Sequence, residues 1–192
     1  MVQSPGNMTL QDAIGGRCSV RAYAPEQIDR TTLDALMAAA VRAPTAMHAE
    51  PWQFVIVQDA DRLKRLSDRA KAALAADARL HPDRRHADIF AKPQFNVFYD
   101  APSLIIICAS APGSFAEADC WLAAQNLMLC AHALGLGTCV IGSAVAALNL
   151  PDVKLELGMP VGSLAVAPII VGHPRGATAP GARKAPQVLA WR

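Results

Sequence analysis

Three residues near the start of the chain alternate in a way that suits an anion. In RCSVRAY, Arg17, Ser19 and Arg21 are spaced by two, so an extended backbone points all three the same way. Arg grips phosphate oxygens bidentately and Ser donates a further hydrogen bond, so two guanidiniums and a hydroxyl on one side suit a phosphate. A solvated basic strand is the commoner fate of R-x-S-x-R, and the motif alone leaves both outcomes open. A second candidate is APTAMHAEPWQF. Pro44 and Pro51 bracket a short loop that carries Thr45, His48 and Glu50, all able to hydrogen-bond. Irregular backbone between two rigid apolar elements is a frequent place for a site. It is also the form of a plain helix-to-strand turn closed by prolines.

A third stretch, AHALGLGTCVIGS, pairs Gly135-Leu136-Gly137 with Gly142-Ser143. Small residues there let a ligand come close to the backbone. The first G-L-G is followed by a strand pattern and not by a helix, so it is no dinucleotide fingerprint, and the chain has no P-loop. His81 and His86 are not spaced with other ligands, so no metal site is expected. His132, near the end of a helical pattern, reads as a hydrogen-bonded or dipole-stabilising histidine. No Ser-His-Asp set and no paired carboxylates stand out.

The elements that must hold these residues follow from the patterning. Thr9 can cap a short helix ending near Gly15-Gly16. Asp29 or Thr31 caps a second helix, with Leu33, Leu36, Met37 and Ala40 on one face. A strand runs from Trp52 to Val57 and a polar helix from about Asp61 to Asp77. Residues 79–100 show no period and read as a loop or lid over the site. Ser103 to Ala109 is apolar on both faces and therefore central. Ser114 is a candidate cap for the longest helix, which reaches Leu134 and is apolar nearly all round. It should be buried, part of it in a subunit interface. Strands over Thr138–Ile141 and Ala165–Val171 flank a short helix from Pro151 to Leu157. Residues 173–192, rich in Pro, Gly and Ala, cannot fold alone and should lie across another surface. This order is α+β or α/β with four or five strands in one domain over 1–192.

Composition narrows the class. The chain has 192 residues, 53% hydrophobic and 18% charged, which suits one domain with a sizeable core and apolar surface left over. A net charge of +2 argues against nucleic acid and membrane surfaces as partners. No apolar run is long enough to span a bilayer, and the N-terminus lacks a signal-peptide pattern. Five cysteines without a C-x-x-C read as reduced thiols in a cytoplasmic protein.

Taken together, RCSVRAY, APTAMHAEPWQF, YDAP, AHALGLGTCVIGS, GHP and Arg183-Lys184 resemble the nitroreductase family of FMN-dependent oxidoreductases. Each piece is weak, but their order and spacing over nearly the whole chain are specific. The resemblance implies a mixed sheet flanked by helices, an obligate homodimer, and two FMN sites built from both subunits. It assigns Arg17, Cys18, Ser19 and Arg21 to the FMN phosphate, ribityl chain and pyrimidine edge. Pro44, Thr45, Ala46 and His48 would border the flavin from the partner. Ile141 and Gly142 would lie near the reactive edge, with the Gly142 amide toward N5. Arg183 or Lys184 would return to the phosphate. The implied chemistry is ping-pong hydride transfer from NAD(P)H to a nitroaromatic, quinone or enone. A dehalogenase, an oxygen-using oxidase or a flavin-storage protein are the alternatives. Two positions depart from the family loop, which usually has Asn at His48 and Gln at Glu50. An imidazole can change charge near neutral pH, and an ionised Glu cannot donate.

Overall fold

The computed structural model describes residues 8–80, 92 and 94–192, with the backbone alone at 77–80. Helix α1, Leu10–Gly16, opens on a reciprocal cap. The Thr9 hydroxyl accepts from the Asp12 amide at 3.1 Å, and the Asp12 carboxylate accepts from the Thr9 amide at 3.2 Å. Helix α2, Arg30–Ala40, is capped by Asp29, which accepts from the Thr32 amide at 2.9 Å. Helix α3, Ala60–Leu80, runs a little longer than its pattern suggested. Helix α4 spans Ser114–Ala133, but Ser114 is not its cap. Gly113 takes that position without a side-chain bond, and Ser114 is the first helical residue. Two short helices follow, α5 (Val145–Leu148) and α6 (Pro151–Glu156). The former is too short to show a period in sequence. Among the described residues no helix is long and apolar enough to cross a membrane.

The strands are β1 (Trp52–Val57), β2 (Ser103–Ala109), β3 (Gly137–Val140) and β4 (Leu164–Gly172). They form one sheet in the order β1-β2-β4-β3, every neighbouring pair antiparallel. The expected mixed sheet is corrected in this respect. Its one parallel component among the described residues is an isolated bridge between Ser19 and Thr138, because β4 returns between β2 and β3 against the direction of both. Strand β2 is buried throughout, as its two-faced apolar run demands. Leu104, Ile106 and Cys108 meet the core under α3 and α5, while Ile105, Ile107 and Ala109 meet the core under α2 and α4. The molecule is therefore a sheet between two helical layers.

Pro168 sits inside central β4, where a missing amide would ordinarily break the ladder. A register shift between Ile107 and Cys108 lies beside it. Its carbonyl still accepts from the Ile141 amide at 2.9 Å, which fixes how the chain leaves β3. The proposed lid falls largely on 81–91 and 93, outside the described residues. Helix α4 leaves apolar side chains uncovered at its start and middle, Phe115, Trp121 and Leu122, so it is not buried all round in the single chain.

Candidate functional site

Residues 17–21 lie beside β3. Ser19 faces Thr138 in the parallel bridge, and the Val20 amide donates to the Thr138 carbonyl at 3.0 Å. Strand-like alternation then divides the side chains. Val20 is buried and packs over Gly137, where an added Cβ would lie 2.8 Å from its carbons, so only glycine lets this segment sit so close to β3. Cys18 packs toward the same core, and its thiol donates to the Thr178 carbonyl at 3.5 Å. Tyr23 anchors the segment by donating to the Val20 carbonyl at 2.7 Å, and burial pushes its phenol well above the ordinary range, so it stays a donor. Arg17, Ser19 and Arg21 are left on the outer side. Among the described residues Arg17 and Arg21 make no ion pair, and the Ser19 hydroxyl makes no hydrogen bond. By contrast Arg62, Arg65 and Arg69 of α3 are paired with Glu156 or Asp152.

The row has two unlike ends, about 13 Å apart at strand spacing. At the Arg21 end the guanidinium carbon lies 5.9 Å from the centre of the Tyr99 ring. Tyr99 is braced edge-on by Phe95 with ring centres 5.5 Å apart. Tyr99 and Asp100 both adopt left-handed backbone, φ 53° and 54°, which a non-glycine residue rarely does. Asn96 ties this turn together, donating to Asp100 at 2.8 Å and accepting from the Phe98 amide at 2.9 Å. Arg21, Asn96, Tyr99 and Arg175 line one cleft. Ile141 and Gly142 follow β3 directly in the chain. Ile141 is buried; Gly142 is exposed and opens a 3-10 turn, so its backbone is open to a ligand. Sequence reasoning missed Asn96 and Tyr99. YDAP marked the turn without revealing that it folds onto Arg21.

At the Arg17 end, His132 of α4 and Gly16 of α1 share the wall of a cavity of about 640 Å³. Burial, and next the charge of Arg17, hold the His132 imidazole below its ordinary value of 6.5. It therefore stays neutral at neutral pH despite its place at a helix C-terminus.

The loop of Thr45, Ala46 and His48 lies elsewhere. It forms a 3-10 turn, Ala46–His48, with left-handed backbone at Met47, His48 and Glu50. Such clustering of strained residues is typical of functional loops. Asp119, buried near the start of α4, holds the turn by accepting from the Ala46 amide with both oxygens at 3.2 Å. This carboxylate was not anticipated, because its partner lies far away in sequence. Pro44, His48 and Glu50 are exposed, and Met47 is 95% exposed. Asp119 and His132 occupy opposite ends of the 20-residue α4, about 20 Å apart by helix rise. None of the loop residues lines the cavities of Arg17 or Arg21. A single chain thus seats residues 17–21 against β3 and leaves the loop apart. Arg183 and Lys184 lie on the exposed tail and make no ion pair among the described residues.

Residues 14–173 match the nitroreductase family. The chain belongs to that family. Among this nitroreductase-family chain's relatives is a Methanothermobacter thermautotrophicus protein, named by inference an NADH dehydrogenase/NAD(P)H nitroreductase. The two are 26% identical over 92% of this chain and 82% of the relative. A 5,6-dimethylbenzimidazole synthase of Rhodospirillum rubrum is 29% identical over 83% of this chain and 79% of its own. A Bacteroides fragilis nitroreductase solved with bound FMN superposes with a TM-score of 0.83 at 28% identity, covering 95% of this chain and 98% of its own.

Proposed function

We propose that this chain is an FMN-dependent NAD(P)H oxidoreductase that works as a homodimer. Its acceptor would be an electron-poor organic molecule, a nitroaromatic, quinone or enone, reduced by a ping-pong route. The observation that carries the reading is the Arg17–Ser19–Arg21 row beside β3, whose two arginines make no ion pair among the described residues. Such a row offers charge to a phosphate at one end and a donor to a flat polar ring at the other. The donor set therefore fits FMN.

When bound, FMN supplies the centre that accepts and then donates the hydride. The chain's own residues orient it. Arg17 and Ser19 would hold the phosphate and ribityl chain, and Arg183 or Lys184 would return to the phosphate. Arg21, steadied by Tyr99, would meet the pyrimidine edge and offer positive charge where electron density accumulates on reduction. Cys18 and Val20 keep the row seated on the core. The exposed Gly142 amide would be offered to N5 of the flavin, with buried Ile141 beside it. The partner subunit's Pro44, Thr45, Ala46 and His48 would complete the wall, in keeping with the loop's lining neither cavity of its own chain. Among the described residues no side chain at the site is set to deliver a proton, so water would do so. Free thiols at all five cysteines and a nicotinamide-driven reaction suit the cytoplasm.

The purified protein should be yellow, and NADH or NADPH should bleach it anaerobically, with colour restored by a nitroaromatic or quinone. A colourless protein that takes up no FMN would sink the reading. Kinship with a protein named a dimethylbenzimidazole synthase favours a second reading, a specialised branch of the same flavin chemistry. A flavoprotein that neither nicotinamide bleaches would belong to that branch.

A further inference from the structure

The cavity at the Arg17 end contains two basic groups and almost nothing to neutralise them. Arg17 closes α1 as its C-cap, and His132 stands in the last turn of α4. Both line the same space, with Gly16, Thr138 and Thr178. The imidazole rides directly on the α1 backbone: a Cβ on Gly16 would lie 2.7 Å from His132 Nε2. Glycine there lets the ring stand beside Arg17, yet neither nitrogen makes a hydrogen bond with a described residue. The titratable groups that face the ring are few. From α1 and its cap come Asp12 and Arg17, and from the extended segment the Cys18 thiol. Strand β3 and residues 174–178 bring none to this wall. Asp12, the one carboxylate, is already engaged, accepting from the Thr9 hydroxyl at 2.6 Å and from the Thr9 amide. An arginine without an acid and a half-buried imidazole without a partner therefore share a polar, backbone-lined space.

We propose that Arg17 and His132 together bind a phosphate monoester, and that His132 takes a proton from solvent as the anion arrives. The argument is electrostatic. Burial and Arg17 disfavour the imidazolium when the cavity holds no anion. An anion between the two cations cancels the repulsion from Arg17 and adds a charged hydrogen bond, so the charged form becomes the favoured one. The C-terminal dipole of α4 adds to this. Two ligands carry such a group: FMN at the end of its ribityl chain, and NADPH at its ribose 2′ position. The FMN assignment rests on the function proposed above, since it needs the phosphate to lie at the Arg17 end of the row.

Titration of the full-length protein, freed of flavin, separates these. FMN and riboflavin differ only by the phosphate, so the ratio of their dissociation constants reports the phosphate contact alone. In the wild type that contact should weaken about threefold to tenfold between pH 6 and pH 8 as His132 loses its charge. In His132→Gln it should not weaken, because the phosphate itself gains charge over this range, its second pKa being near 6. Retained riboflavin binding shows that the variant is folded. The His132 ring proton signals should also titrate at higher pH with FMN than with riboflavin. If instead the ratio is flat and His132→Gln reduces the preference for NADPH over NADH, the site belongs to the dinucleotide's phosphate. If neither flavin binds, the flavin reading has failed by itself, and inorganic phosphate then tests the pair: it should raise the melting temperature of the wild type more than that of His132→Gln. Identical pH profiles for wild type and variant with every one of these probes would overturn the proposal.

Discussion

Among the described residues Arg17 makes no ion pair, while three arginines of α3 are tied to acids on α6. Paired arginines are surface cement worth little each; an unpaired one on a cavity wall is available to a ligand. Arg17→Ala should weaken FMN binding by about 1.5–3 kcal/mol, the value of a charged hydrogen bond. Arg17→Lys should lose less, because a point charge keeps attraction without the bidentate fork. Fluorescence titration of the flavin-free protein measures both, and unchanged affinity in the alanine variant would remove Arg17 from the site. At this scale the sequence was readable where a motif is local. Alternation alone set Arg17, Ser19 and Arg21 apart from Val20, which is the residue of this segment that is buried. It was unreadable where the partner is remote. Nothing in the text of the chain says that Tyr99 faces Arg21, that His132 rests on Gly16, or that Asp119 holds Ala46.

The elements themselves followed their local signals closely. The Thr9 and Asp29 caps, both limits of β1 and both limits of β2 were legible, because each is written in neighbouring residues. Strand direction was not, since it depends on how β4 is routed. The element with the most leverage on the site is the start of α4. Removing the carboxylate in Asp119→Ala strands the Ala46 amide, so a loss of about 1.5–3 kcal/mol in stability is expected. Faster hydrogen exchange at Ala46 and its neighbours should accompany it, with Asp119→Asn intermediate. Exchange as slow as in the wild type would show that the strained turn holds itself.

Acid sensitivity is also set by elements. The Thr9 hydroxyl beside Asp12, the Thr32 amide on Asp29, Lys71 on Asp68 and Arg69 on Asp152 hold all four carboxyls below their ordinary value of 3.8. A group depressed in the folded state contributes stability above its unfolded value and loses it as pH falls through the folded one. His132 is depressed too, from 6.5. The flavin-free protein should therefore lose stability in two windows, one beginning below pH 6.5 and one below 3.8. His132→Gln should abolish the first and leave the second, as followed by urea midpoints across pH.

At the scale of the molecule, apolar side chains remain uncovered on α1 (Leu10, Ile14), on α4 (Phe115, Trp121, Leu122) and on the tail (Val188, Leu189, Trp191). Leu189 is 97% exposed and Trp191 90%. Strand β1 is an open edge of the sheet, the kind of edge that proteins cover. A homodimer that buries these surfaces is the expected state, visible as a single dimeric species by sedimentation at low micromolar concentration. Cutting the tail before Val188 should loosen it. A folded monomer with one FMN per chain would contradict the shared site. The surplus of apolar residues was legible in composition, whereas the surfaces they occupy were not, because that depends on which faces the sheet and helices have already claimed.

Strand β4 is the last in chain order, yet it lies between β2 and β3. While the protein is being synthesised, β2 and β3 emerge with no strand to join them. The sheet cannot close, nor the Ile141 amide find the Pro168 carbonyl, until residues 164–172 have left the ribosome. At about 5–20 residues per second, β2 waits several seconds with its apolar edge unpaired. A ribosome stalled anywhere before β4 would therefore leave a sticky half-sheet for chaperones to shield.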